Sequence, residues 1–370
     1  MVVHKRDRCV VIAEAGVNHN GSVDMAHTLI DAAADSGADI VKFQSFKADK
    51  LATPSAEKAA YQVKHTGADQ SQVEMLKKLE LSEKDQRTLF LHCQDRGIEF
   101  LSSPFDTDSL AFLIDLGVKR IKLGSGELTN APMLLEVARS RLPIILSTGM
   151  STLAEVETAL GVLAHGYLSQ TLPLSSSVFE ASWTDSEAQL ELSRNVTLLH
   201  CTTEYPAPAN QINLLAMQTL REAFGLACGY SDHTEGIAVS LAAVALGACM
   251  IEKHFTLDRN LTGPDHKASM NAAGLKSLVD GVREVEASLG SRIKVPTSVE
   301  IPNRTVARKS LVAARNINKG QIIDVDDVSV KRPGTGLTPL KYWDIIGTRA
   351  VSDFAPNDLL TLYDFDGEIN

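Results

Sequence analysis

His233 and His254 each close a short apolar run, and each has a carboxylate close by, Asp232 and Glu252. Two imidazoles on adjacent strand tips can share a divalent cation, with Glu252, Asp265 or water filling the remaining positions. A single strand-end histidine is more often a hydrogen-bonded structural residue, and the pairing beside carboxylates is what favours a metal. His200 ends another run and reads either as a third ligand or as a hydrogen-bonding neighbour. A second set, Lys42, Ser103, Lys122, Ser125, Ser147, Thr203 and Ser231, closes other runs. Each hydroxyl alone could merely cap a helix. Together with two lysines and nearby glycines they suit a phosphate. Glu14 and Glu127 end two further runs and are candidates for acid–base work.

These residues need elements that bring them to one place. The apolar runs lie at 10–13, 40–41, 100–101, 121, 144–146, 196–199, 226–229 and 250–251, and each leads into polar, chemically capable residues. Eight strands with apolar interiors and reactive C-terminal ends, spaced for a helix between each, describe an α/β fold, a (β/α)8 TIM barrel with its chemistry on one rim. Helical periodicity appears between the runs. Ser22 or Asp24 can cap a helix that places Met25, Ala26, Leu29, Ile30 and Ala33 on one face. Leu275, Leu278, Val279, Val282, Val285 and Leu289 form the stripe of an eighth helix, which Gly290 can stop. Gly124-Ser125-Gly126 is not a dinucleotide fingerprint, because Thr129 stands where the third glycine belongs.

A barrel takes about 250 residues, so a chain of 370 leaves room for a second domain. The barrel is expected over 1–290. A linker follows over 291–305, with Pro296 and Pro302. A small β-rich domain with tight turns then fills 306–370, where Gly336 and Gly347 suit positive φ. The 50–83 connection is long, with helical character near 73–81, and could act as a substrate wall. The 167–194 segment enters at the bottom of a strand and reads as a surface insertion.

The net charge of −10 lacks the basic footprint of a nucleic-acid binder. It leaves room for an anionic small substrate held by local cations. The five cysteines, Cys9, Cys93, Cys201, Cys228 and Cys249, are scattered without a CxxC, as expected of free thiols in a reducing compartment. The start MVVHKRDR turns charged too early for a signal peptide. The apolar 236–251 stretch is shorter than the ~20 residues of a membrane span. A cytoplasmic protein without a membrane or nucleic-acid partner is expected. A metal-dependent hydrolase on such a barrel would show His-x-His after the first strand, but Asn18-His19 stands there. A noncatalytic sugar-binding module would not need two carboxylates and a histidine pair at one rim, and the C-terminal region lacks the regular repeat of an ice-binding face.

The segments AEAGVNHNGS, VKFQSFKADKL, SSPFD, KLGSGEL, ILSTGMST, LLHCTTEYPAP, GYSDH, IEKHFTLDRNLTGPDHKAS, VARKSL and KRPGTG occur in order, within a match that runs from Val10 to about Phe365. Together they resemble the bacterial sialic acid synthase family. The resemblance implies a TIM barrel followed by a small antifreeze-protein-like (SAF) β-clip domain, in a domain-swapped homodimer. It implies condensation of phosphoenolpyruvate with an N-acylated aldose, giving a nine-carbon ulosonic acid and phosphate. It also implies a divalent metal, Mn2+ ahead of Mg2+ or Co2+.

By the same resemblance His233 and His254 are the metal ligands. Ser103, Lys122, Ser125, Ser147, Thr203 and Ser231 cradle phosphoenolpyruvate, with Lys42 near its carboxylate or phosphate. Tyr205, counted with the catalytic residues, and Asp265 touch the sugar, and Glu14 and Glu127 are the acid–base pair. Arg332, otherwise a solvated turn residue, reaches the sugar's N-acyl group from the partner subunit. Thr203 stands where some members of the family have asparagine, and Thr335 where asparagine is common. Thr203 keeps a hydroxyl donor, and Thr335 bears on acyl specificity. Two acceptors fit: N-acetylmannosamine, leading to N-acetylneuraminate, and a diacetamido-trideoxy hexose, leading to legionaminate or pseudaminate. KRPGTG and EYPAP lean towards the first two products, with N-acetylmannosamine the leading acceptor. The segment Tyr61-Gln62-Val63-Lys64-His65-Thr66-Gly67 is expected to meet the distal end of the sugar.

Overall fold

The eight apolar runs are eight parallel strands: β1 (Val10–Gly16), β2 (Ile40–Ser45), β3 (Glu99–Pro104), β4 (Ile121–Leu123), β5 (Ile144–Ser147), β6 (Val196–Cys201), β7 (Ala227–Asp232) and β8 (Met250–Thr256). The computed structural model describes residues 8–59, 62–63, 67, 70–168 and 174–366. The hydrogen-bonded order is β3-β2-β1-β8-β7-β6-β5-β4. β3 and β4 lie side by side across the remaining seam. The result is a nearly closed parallel barrel.

Alternation along the strands sorts the side chains. Val11, Ala13, Val41, Phe43, Phe100 and Leu146 join the large core shared with the outer helices. Ile12, Ile40, Leu101, Ile145, Leu199 and Met250 form a separate cluster that fills the barrel interior. Two residues beyond each of these lies Glu14, Lys42, Ser103, Ser147, Cys201 or Glu252, on the same inward face and one layer nearer the C-terminal rim. The register agrees, since Glu14 pairs with Lys42 on one side and with His254 on the other.

The outer helices follow from their caps and stripes. Val23–Asp35 starts at Ser22, whose Oγ accepts the Met25 amide at 3.2 Å, and it buries Ala26, Leu29, Ile30 and Ala33 while Met25 stays half-buried. Ala272–Leu289 buries Leu275, Leu278, Val279 and Val282 and stops at Gly290 with φ +50°. Its last two stripe positions, Val285 and Leu289, are half-buried and exposed. No helix among the described residues is long and apolar enough to cross a membrane. The cysteines are free, and burial pushes the Cys9 and Cys93 thiols up to about 12.

The long β2–β3 connection carries the helices Ala48–Leu51 and Gln72–Lys77, the second closed by a Ser71–Glu74 capping box. Of the sugar-facing segment expected at 61–67, Tyr61, Lys64, His65 and Thr66 lie outside the described residues. Tyr167 belongs to the helix Leu153–Leu168, where its hydroxyl donates to the Leu142 carbonyl at 2.9 Å. Helices Ser176–Trp183 and Ser186–Asn195 then pack along that helix, outside the barrel.

The chain divides into two units, Met1–Gly290 and Ser291–Asn370. In the second, Ser310–Ala313 pairs antiparallel with Val328–Lys331, and Arg349–Ala350 with Phe365–Asp366. Leu311, Ile317, Ile323, Ile345, Leu360 and Phe365 form its core. The expected linker is not wholly irregular, because a helix starts within it, Ile301–Ala307. Gly347 has the expected positive φ, +86°. Gly336 does not: a Cβ there would sit 2.9 Å from the Leu360 carbonyl oxygen, so close backbone approach is what excludes a side chain.

Candidate active site

At the C-terminal rim of the barrel lies a cavity of about 330 Å³. Glu14, Lys42, Ser103, Lys122, Ser125, Ser147, Thr203, Tyr205, Ser231, His233, His254 and Asp265 all line it. Seven strands or the turns that follow them, together with β8, therefore deliver the residues that the sequence pattern selected. Arg332 belongs to the second unit, where it is exposed and donates from Nε to the Ala307 carbonyl at 3.1 Å.

A buried charge cluster forms the floor. Lys42 Nζ lies 3.2 Å from Glu14 Oε2 and 3.1 Å from Glu252 Oε2. Lys122 Nζ is 3.5 Å from Glu252 Oε1 and donates to Ser147 Oγ at 2.8 Å. Ser231 Oγ donates to Glu252 Oε1 at 2.8 Å. All four charged groups are nearly excluded from water. Burial pushes the Glu14 carboxyl up to about 7, against the pull of Lys42. Burial acts the same way on Glu252, but Lys122 and Lys42 outweigh it and hold that carboxyl well below the usual range. Lys122 is lowered by its own desolvation. Burial also disfavours the charge on Lys42, but Glu14 and Glu252 prevail and raise its pKa. Two neighbouring carboxylates with pKa values driven apart are an arrangement suited to acid–base chemistry.

Above the lysines sits a ring of small donors. Ser125 Oγ accepts the Gly149 amide at 3.0 Å. A Cβ on Gly149 would come within 2.5 Å of Thr203 Oγ1 and 2.7 Å of Ser125 Oγ. Ser103 Oγ is buried and has no partner within the protein. An unpaired buried hydroxyl beside two ammonium groups fits an incoming anion.

His233 Nδ1 lies 2.7 Å from the Thr202 carbonyl oxygen. A carbonyl only accepts, so Nδ1 carries the proton and Nε2 keeps its lone pair. The His254 ring centroid is 5.6 Å away, and its Nδ1 is buried without a partner. Desolvation brings His233 down to about 4 and His254 well below its usual value, so both rings are neutral at pH 7. Neutral imidazoles with a lone pair to offer fit a divalent cation, and the Nε2 of His233 has only a long 3.5 Å contact with Ser231 Oγ. Among the described residues no group of three or more His, Cys, Asp or Glu is placed to hold a metal. His233 and His254 would therefore supply two ligands and leave the remaining positions to water and substrate. Tyr205 packs on His233 with centroids 4.2 Å apart. Desolvation raises Asp265 to about 6.

Besides Arg332, two residues read as candidates, His200 and Glu127, do not line this cavity. His200 is not a third ligand: its Nε2 is 2.7 Å from the Ile212 carbonyl oxygen and its ring faces Tyr230. Leu199 points into the barrel, so alternation turns His200 outward. Glu127 sits in the one-turn helix Ser125–Glu127, where Oε2 accepts from Asn130 at 2.6 Å, and it is not among the cavity residues. Glu252, read from sequence only as a spare metal ligand, is at the centre of the cluster. The signal was its place two residues beyond inward-facing Met250.

Donors that converge on two buried ammonium groups, at the strand ends of a parallel barrel, define a class: a (β/α)8 enzyme suited to a small anionic substrate. The chain belongs to the NeuB family, the sialic acid synthases, whose profile matches residues 29–294, and a SAF domain matches residues 308–366. It is accordingly a phosphoenolpyruvate-dependent condensing enzyme. It is 47% identical to the N,N'-diacetyllegionaminic acid synthase of Campylobacter jejuni, covering 95% of this chain and 99% of that one. It is also 47% identical to the synthase of the same name from Legionella pneumophila, over 92% and 90% of the two chains. The crystal structure of an N-acetylneuraminic acid synthetase from Leptospira borgpetersenii superposes with a TM-score of 0.64 at 32% identity, over 80% of this chain and 90% of that one.

Proposed function

We propose that the protein condenses phosphoenolpyruvate with a diacetamido-trideoxy hexose to give a legionaminate-type ulosonic acid and phosphate. The observation that carries this reading is the full-length 47% identity to two diacetyllegionaminic acid synthases, against 32% to a neuraminate synthetase. It replaces N-acetylmannosamine as the leading acceptor.

In this reading Lys42, Lys122, Ser103, Ser125, Ser147, Thr203 and Ser231 hold phosphoenolpyruvate. Tyr205 and Asp265 orient the open-chain aldose over it. His233 and His254 would hold a divalent cation, Mn2+ first, which would supply Lewis-acid polarisation of the aldehyde oxygen. The methylene carbon of phosphoenolpyruvate bonds to the aldehyde carbon as the C=O π pair passes to the aldehyde oxygen, which ends as a hydroxyl by taking the proton that Glu14 later receives from water. Positive charge at the neighbouring carbon is stabilised by Glu252 and Glu14. Water adds there, and Glu14, poised near neutrality, takes its proton. The tetrahedral adduct then expels phosphate by carbon–oxygen cleavage. Glu14 is preferred to Glu127 as base because it lines the cavity.

The enzyme would work in the cytoplasm as a domain-swapped homodimer, with Arg332 from one protomer meeting the N-acyl group held by its partner. The test is phosphate release from phosphoenolpyruvate and Mn2+ with either aldose in separate reactions. Turnover with the diacetamido sugar is expected, and turnover with N-acetylmannosamine alone would return the reading to N-acetylneuraminate.

A further inference from the structure

The cavity has two unlike sides. One carries the charges, hydroxyls and imidazoles described above. The other is largely apolar, built by Leu51, Ala52, Met75, Leu76, Leu79 and Phe105 from the connections after β2 and β3, with Gln62 beside them. Met75, Leu76 and Leu79 are buried with Val17, Phe46 and Ala48 in a hydrophobic cluster distinct from the barrel core. The wall is therefore part of the folded protein before any substrate arrives. Gln72, at the start of the helix that bears Met75 and Leu76, lines the same side.

We propose that this wall selects the acceptor: it takes an aldose that ends in a methyl group and rejects one that ends in a hydroxyl. The inference rests on the reading of the protein as a legionaminate-type synthase and adds to it the element that sets its specificity. The two acceptors differ at positions remote from the reacting aldehyde. The trideoxy sugar presents a methyl group and a second acetamido group where N-acetylmannosamine presents hydroxyls. A hydroxyl pressed against Leu51 and Met75 loses water without gaining a partner there. A methyl group in the same place is favoured, because its apolar surface leaves water. The Gln72 carboxamide offers both a donor and an acceptor, the pair that a second acetamido group needs. The polar side already accounts for phosphoenolpyruvate and the aldehyde, which leaves this wall for the distal end of the sugar.

The experiment compares kcat/KM for the two aldoses, at saturating phosphoenolpyruvate and Mn2+, in the wild type, Leu51→Gln and Ala52→Asn. Leu51 and Ala52 are only half-buried, so both variants should fold, and thermal melts check this. The expected result is that each variant lowers kcat/KM for the diacetamido-trideoxy sugar about tenfold. The ratio between the aldoses should narrow by at least that factor, with the phosphoenolpyruvate KM unchanged. A wild type that prefers the diacetamido sugar, with folded variants keeping the same ratio, overturns the wall and leaves the functional reading standing. A wild type that prefers N-acetylmannosamine overturns both.

Discussion

Lys42 and Glu252 face each other at 3.1 Å in the floor of the barrel mouth, and neither has appreciable access to water. A pair this deep is stable only while its charges balance, since an uncompensated buried charge costs several kcal/mol. Balance here is a four-body matter, because Glu14 shares Lys42 and Lys122 shares Glu252. An arriving anion adds negative charge, which the two lysines of the cluster, Lys42 and Lys122, are placed to meet.

Glu252→Gln removes the charge that both lysines share. Stability should fall by about 3 kcal/mol or more, the scale of breaking a buried ion pair, and appear as a lower Tm. The site becomes more positive, so phosphoenolpyruvate binding measured by calorimetry should persist or tighten while turnover falls at least about a hundredfold. Turnover close to wild type would remove Glu252 from the chemistry.

Glu14 gives a pH prediction with a definite sign. Its role as base needs the carboxylate, so activity should fall as pH drops below about 7, with Glu14 as the titrating group. Glu14→Gln should lower kcat by roughly 10²–10⁴ and flatten that limb of the profile. Stability runs the opposite way. A carboxyl raised on folding binds its proton more tightly in the native state, so its contribution is complete below pH 4.5 and is lost as pH rises through about 7. Relative to wild type, Glu14→Gln should therefore gain stability between pH 5 and pH 8 in denaturant melts. An unchanged acidic limb in the variant would assign it to another group.

His233→Ala removes one of the two neutral imidazoles at the rim. Turnover should be lost at every Mn2+ concentration, and calorimetry should show loss of Mn2+ binding. The ring hydrogen-bonds the Thr202 carbonyl and packs on Tyr205 at the mouth of an otherwise intact barrel, so circular dichroism should stay as in wild type. Full activity in this variant would end the assignment of the metal to this histidine pair.

Much of this site was legible because β-strands alternate. Once Ile12, Ile40, Leu101 and Ile145 are taken to point inward, Glu14, Lys42, Ser103 and Ser147 must follow on the same face. The same rule turns His200 outward behind Leu199. What alternation does not carry is which strand tips meet. The centrality of Glu252 depends on β8 pairing with β1 on one side and β7 on the other, a closure that chain order does not state. The direction of Glu127 was not legible, because it follows a strand of only three residues and enters a one-turn helix, where strand periodicity no longer applies. The 50–83 connection could be read as a substrate wall, but its apolar surface could not. Its residues come from short helices in a long connection, and packing above the barrel, not any repeat in the sequence, makes them one surface.

Gly149→Ala tests the anion cradle with one methyl group. Gly149 lies in the turn after β5, its amide donating to Ser125 Oγ at 3.0 Å. The added Cβ would fall 2.5 Å from Thr203 Oγ1, 2.7 Å from Ser125 Oγ and 2.8 Å from Cys201 Sγ, inside the ring of donors assigned to phosphoenolpyruvate. Its φ is not in the left-handed region, so an alanine there carries no backbone strain of that kind. The penalty falls on the side chains it displaces. Overpacking of this sort costs typically 1–3 kcal/mol, which is roughly a tenfold to hundredfold loss if it is felt in binding. The expected outcome is a phosphoenolpyruvate KM at least tenfold higher, with the aldose KM within about twofold of wild type. Equal rises in both KM values would mean that the turn supports the whole cavity, and an unchanged phosphoenolpyruvate KM would place the anion elsewhere on the rim.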